Sequence, residues 1–217
     1  MKKLLVLTLL TVITQDIHAK KTMQKKQDAT SKITIYPSDL LYFTLPTKNL
    51  SLSILEKQFQ EQAEKLNNLV SQTKPYSAVL MNPGSTPAQN AKATKALESL
   101  NSQIKTATIQ QAQTKMQYAF TMLPPKEQAQ IVAYLKDSTK NSFSNTLKNY
   151  QNLEAKFNAA LQAYNAFPSK RLSQAYLDAS DAAFKAFINF TNNQNGAAIL
   201  AILNSVDLSA LGSDYEN

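Results

Sequence analysis

The 217-residue chain is expected to be mainly α-helical, with long antiparallel helices forming an extended hairpin or a bundle. Three observations predict this. Apolar residues recur three and four positions apart through several long segments. Prolines fall at the ends of those segments, and glycine occurs only three times. Alternation of β-branched and aromatic residues is confined to residues 33–36. A small β element is expected from residues 33–36 together with the apolar run 197–203, where strand and helix both fit the composition.

Residues 1–19 read as an export signal. Lys2 and Lys3 form a charged start, and residues 4–13 are an apolar run broken only by Thr8 and Thr11. Ala19 then supplies a small residue before a cut at Lys20. The run is too short to span a bilayer, and no other stretch approaches the roughly 18 apolar residues that a transmembrane helix requires. Residues 20–32, rich in Lys, Gln, Thr and Ser, are expected to be a disordered basic arm. The remainder, 33–217, reads as a single helical domain with its longest helices in 86–192.

Each helix has its own signals. Ser53 and Glu56 fit a capping box, and Leu52, Leu55, Phe59, Leu66 and Leu69 form one seam once Gln62 is allowed; Lys74-Pro75 is expected to end this helix. Residues 74–90, with three prolines and Gly84, read as an irregular connection. Thr86 then looks like an N-cap with Pro87 at the first helical position, where the missing N–H costs nothing. The helix behind it should run to Leu123 with a thin stripe of Ala93, Leu97, Leu100, Ile104, Ala107 and Tyr118, which suggests an arm rather than the centre of a core. Pro124-Pro125 breaks the chain. Ile131 and Leu135 mark the next helix, and Phe143, Leu147, Tyr150, Phe157, Leu161 and Tyr164 continue the stripe after a polar stretch at 137–142. Beyond Pro168, residues Leu172, Tyr176, Ala179, Ala183, Phe187 and Phe190 align, and Gly196 is expected as a left-handed cap.

Composition narrows the chemistry. His18 is the one histidine and lies in the signal, and cysteine is absent. Without either residue, Ser-His-Asp and Cys-His catalysis, disulfides and the usual transition-metal ligand sets are all excluded. No glycine-rich phosphate loop is present. The acidic pairs Asp178/Asp181 and Glu61/Glu64 lie three apart on helix faces, a spacing that belongs far more often to solvated surface than to acid–base chemistry. An enzyme is therefore not expected, no catalytic, cofactor or metal residue is assigned, and Ala19 and Lys20 at the cleavage point are the site residues named.

Charge is uneven. The net formal charge of +8 is concentrated in 20–32, at +4, and in 86–171, at +7, while the last eleven residues carry −3. The basic middle would attract anionic lipid or acidic polypeptide, or would simply keep a helical surface solvated. Nucleic acid is a poor fit because Arg171 is the one arginine.

Lys32-Ile33-Thr34-Ile35-Tyr36, Pro46-Thr47-Lys48, Leu55-Glu56-Lys57-Gln58-Phe59 and Glu64-Lys65-Leu66 resemble the opening of Skp/OmpH-type periplasmic chaperones. At the other end, Phe187, Phe190, Asn195-Gly196, the run to Leu203, and Asp214-Tyr215 resemble that family's returning helix, turn and second strand. The middle is longer than the family's helical hairpin and is broken at Pro124-Pro125 and Pro168. The resemblance implies a homotrimer with a small β-containing body and helical arms that shelter unfolded outer-membrane proteins, without catalytic residues. Two functions are thus expected to compete. One is an exported, cofactor-free holdase for unfolded envelope polypeptides; the other is a structural or interaction helix bundle of the envelope or host interface.

Overall fold

A computed structural model describes residues 33–46, 50–137, 139, 142–167 and 169–212. The signal, its Ala19–Lys20 cut, the basic arm 20–32 and Asp214-Tyr215 lie outside the described residues. Among the described residues there are six α-helices: α1 (Leu52–Met81), α2 (Pro87–Met122), α3 (Pro125–Lys136), α4 (Phe143–Ala166), α5 (Lys170–Thr191) and α6 (Gln194–Leu203). Two 3-10 turns, Pro37–Tyr42 and Ser209–Leu211, complete them. The fold class is mainly α, as the periodicity predicts. Contacts within the chain group into two compact units, one of 58–111 with the chain near Ile33 and from Leu208, the other of 34–57 and 112–207.

In the first unit, α1 and α2 are joined by a short turn at 82–86. Thr86 Oγ1 accepts from the Gln89 N–H at 3.2 Å, and Thr86 N–H donates to Gln89 Oε1 at 2.8 Å, a reciprocal capping box in front of Pro87. Leu69 of α1 packs with Leu100, Ile104 and Ala107 of α2, flanked by Leu66, Val70 and Tyr76. Ala63 of α1 is buried as well.

The expected end of α1 at Pro75 is not found. The helix continues through Pro75 to Met81, so most of the expected irregular connection is helical. The reason is local. Pro75 withdraws one donor from the carbonyl of Ser71, and both residues are exposed, so water can satisfy that oxygen.

The second unit is built around the C-terminal third of α2. Ala112, Thr114, Lys115, Met116, Tyr118 and Ala119 are all buried, which covers the helix on nearly every side. This part of α2 is a core element, contrary to the arm expected from its sparse apolar stripe. Its alanines and one methionine allow neighbours to approach closely, an effect that hydrophobicity alone does not register. Gln128 spans the Pro124-Pro125 break, donating to the carbonyls of Phe120 and Leu123 at 3.0 Å each. The Phe120 oxygen also accepts from the Leu123 N–H at 3.2 Å, so Gln128 adds a side-chain donor to the closing turn of α2. α4 and α5 form an antiparallel hairpin, α3 packs on α4 and α6, and α6 packs on the Pro37–Tyr42 turn.

No strand forms at either end of the expected β element. Residues 197–203 are helical, because the Asn193 side chain caps α6 by accepting from Gly196 N–H at 3.0 Å, and Ala and Leu favour helix once it is nucleated. Residues 33–36 are extended, but their pairing partner is a side chain. Ile35 N–H donates to Asn204 Oδ1 and Asn204 Nδ2 donates to Ile35 O, both at 2.9 Å. The Asn204 amide does for one residue what a neighbouring strand would do for several. Gly196 is also not a left-handed cap. No glycine among the described residues has positive φ, and a Cβ at 196 would lie 3.1 Å from Phe143 Cδ2, so the missing side chain lets the Phe143 ring pack closely against α6.

A buried ion pair fixes the same extended segment to α2. Lys115 Nζ lies 2.6 Å from Asp39 Oδ2 and donates to Thr34 O at 2.9 Å, with the Tyr36 ring 5.5 Å away. Asp39 also accepts from Tyr36 N–H at 2.8 Å. Removing one member leaves a charge with no counter-charge in a desolvated place, a loss of about 3–5 kcal/mol. Lys115→Met should therefore lower the unfolding free energy by about that amount in urea titration, whereas Lys115→Met with Asp39→Leu should cost less than the single change.

Candidate functional site

The α4–α5 hairpin determines which apolar side chains are available to a partner. Along α4, Phe143, Tyr150, Phe157 and Tyr164 recur every seven residues and face α5. Phe143 meets Phe190 at 5.3 Å between ring centroids, Tyr150 meets Phe187 at 5.6 Å, and Tyr176 lies 5.5 Å from Phe157 and 6.1 Å from Tyr164. Such pairs add about 0.5–1.5 kcal/mol each beyond the area they bury. The aromatic stripe that the periodicity of α4 predicts is thus largely the interior of the hairpin.

A second stripe runs along the other side of α5. Leu177, Phe184 and Ile188 are 53%, 63% and 41% exposed. Their spacing of seven and four places them on one line of the helix, opposite Ala183, Ala186 and Phe190, which are buried. Reading only the inner stripe of α5 misses these residues. The signal that locates them is an amphipathic helix with two apolar lines, one more than a two-helix hairpin can cover. The outward side of α4 presents Gln151, Asn158 and Gln162 instead, so the apolar exposure belongs to α5. Elsewhere, Tyr36, Ile54, Met81, Met122 and Phe167 are also exposed, but no three of them share one helix.

Charged side chains border the stripe. Lys185 donates to Asp181 Oδ2 at 2.7 Å, and Gln174 Nε2 donates to Asp178 Oδ1 at 2.8 Å. The hydrogen bond from Lys185 to Asp181, followed by the carboxylate's charge, raises the Lys185 pKa and keeps the ammonium charged. Asp178 and Asp181 therefore lie on solvated helix surface. Glu61 and Glu64 are likewise exposed on α1. Among the described residues no group of three or more Asp, Glu, His or Cys side chains is arranged to hold a metal ion. No helix among them is long and apolar enough to cross a membrane.

Pro37, Leu40, Phe190, Thr191, Gly196, Ala197 and Leu200 line a small apolar notch of about 50 Å³. Ligand sites for drug-sized molecules run to roughly 300–1,000 Å³, so this notch is a packing gap. Lys115 is not an accessible part of the basic middle either, since Asp39 and Thr34 hold it in the core. Among the described residues, α5 is the helix that carries three exposed large apolar side chains on one line.

Comparison with protein families, with curated proteins and with solved structures finds no match to this chain.

The hairpin interior also gives the chain an alkaline limit. Burial, followed by the Glu154 carboxylate, pushes the Tyr150 phenol well above its ordinary value of 10.0. Burial, then the hydrogen bond to Glu56 at 3.1 Å, raises Tyr118 as well. A group whose folded pKa is raised stabilises the fold fully below its unfolded pKa, and that contribution fades as pH climbs toward the folded value. Stability should accordingly decline above about pH 10. Tyr150→Phe should make the decline shallower in thermal melts across that range; an unchanged slope would assign the loss to other groups.

Proposed function

We infer that this chain is an exported polypeptide-binding protein that works without a cofactor, with the outward face of α5 as its contact surface. The observation that carries this reading is the line of Leu177, Phe184 and Ile188, each about half exposed on a helix whose other face is fully used. Single exposed apolar residues are ordinary, whereas three on one helical line make a patch. Completing their burial is worth about 1 kcal/mol per side chain, roughly half of what full burial yields. A sum of about 3 kcal/mol is too little for tight, permanent capture but enough to contribute to transient holding of a client.

Two features of the sequence fit that role. The lysines of 86–171 oppose collapse of the protein onto itself and attract acidic segments of a client. The N-terminal signal would deliver the chain to the periplasm or beyond. The finer form of the reading is a holdase for unfolded envelope proteins, in line with the resemblance to Skp/OmpH chaperones at the two ends of the sequence. That family's β body and trimer do not contribute support, because no strand forms among the described residues.

One observation favours a second reading, an interaction or structural helix bundle without holdase activity. Most aromatic side chains of α4 and α5 are consumed by the hairpin interior. Such a protein would use the same α5 face to bind one folded partner.

Aggregation assays separate the two. Residues 20–217 should suppress light scattering by a chemically unfolded outer-membrane protein, and the triple change Leu177→Ser, Phe184→Ser, Ile188→Ser should weaken suppression several-fold while preserving helicity. If the unaltered protein has no effect at several-fold excess over client, the holdase reading fails.

A further inference from the structure

We propose that, without a client, the outward face of α5 is covered by the same face of a second copy, the two helices running antiparallel about a two-fold axis. This rests on the reading of that face as a polypeptide-contact surface and names its resting occupant. The argument is one of self-complementarity. In a symmetric dimer the same patch meets itself, so every contact must work in both directions. Asp178 and Lys185 lie seven residues apart on one flank of the stripe. A two-fold axis crossing α5 between Asp181 and Ala182 sets Asp178 opposite the second copy's Lys185, and Lys185 opposite the second copy's Asp178. Both cross-pairs then form at once. In the same register Leu177 lies between Phe184 and Ile188 of the second copy, which is the knob-in-hole arrangement of paired helices.

The surrounding groups permit this register. The two Asp181 carboxylates flank the axis, and each is already held by its own Lys185 at 2.7 Å. A parallel pairing about a two-fold axis along the helices would instead put the two Asp178–Lys185 flanks on opposite sides of the interface, where neither cross-pair can form. Lys170 and Arg171 at one end of α5 would meet Asn193 and Asn192 at the other, where no acidic or basic side chain conflicts. The hairpin supplies the reason for pairing: two helices leave the outer line of α5 uncovered, and a second hairpin completes a four-helix arrangement around it.

The test uses charge exchange on residues 20–217, read by sedimentation equilibrium without client. Side chains 178 and 185 are exposed in the isolated chain, so their replacement leaves folding intact, checked by circular dichroism. The unaltered protein should populate a dimer. Asp178→Lys and Lys185→Asp should each weaken it by about tenfold, since two attractive contacts become repulsive. The double variant should recover the original affinity to within about threefold, and an equimolar mixture of the two single variants should form a heterodimer. A monomer at all concentrations, a trimer, or a dimer indifferent to these exchanges would overturn the proposal. Any of those results would leave the aggregation assay to judge client binding independently.

Discussion

A helix in a two-helix hairpin can bury only one of its faces, and the second unit is organised around that constraint. α4 spends its apolar residues on a seven-residue aromatic repeat directed at α5, and its outer side is polar. α5 answers with Tyr176, Phe187 and Phe190 on its inner side, but it carries a further apolar line for which the hairpin has no cover. Most aromatic side chains in this region are structural, and the large apolar side chains left exposed on α5 are few and collinear. The constraint thus separates core from exposed apolar surface more sharply than composition does.

The rest of that unit relies on polar connections to hold irregular chain in place. Asn204 pairs with both backbone groups of Ile35, and Lys115 reaches Thr34 and Asp39. Together they fix an extended N-terminal segment against α2 and the C-terminal helix without a sheet. Each replaces a repeating ladder with a single interaction, so the segment depends on individual residues. A buried ion pair adds little net stability against a well-packed apolar substitute, but its geometry admits one arrangement of the two chains it joins. Ser142 and Asn193 serve similar local purposes as caps of α4 and α6.

Much of this was legible in the sequence wherever local chemistry decides the outcome. Thr86, Pro87 and Gln89 announce the start of α2, and Ser169 stands where α5 is capped. Ala93, Leu97, Leu100, Ile104 and Ala107 are all buried, as their spacing predicts. What escaped depends on distance. Lys115 looks like one more solvated lysine in a basic stretch until Asp39, 76 positions away in sequence, is placed beside it. Residues 33–36 have strand character, yet their partner is one asparagine side chain 169 positions onward from Ile35. Pro75 reads as a terminator because sequence alone does not show that Ser71 and Pro75 both face water. The outer line of α5 was readable in principle, but the stronger inner stripe conceals it. Function is less legible, because an apolar contact line lacks the spacing rules that mark metal or catalytic sites.

The most direct measurement places a photo-crosslinking phenylalanine analogue at position 184 on α5 or at position 158 on the polar outer side of α4. Each labelled protein is then irradiated with an unfolded outer-membrane polypeptide. If the outward face of α5 is the contact surface, position 184 gives abundant crosslinks to the client and position 158 gives few. Equal yields at the two positions, or none at 184, would contradict that account.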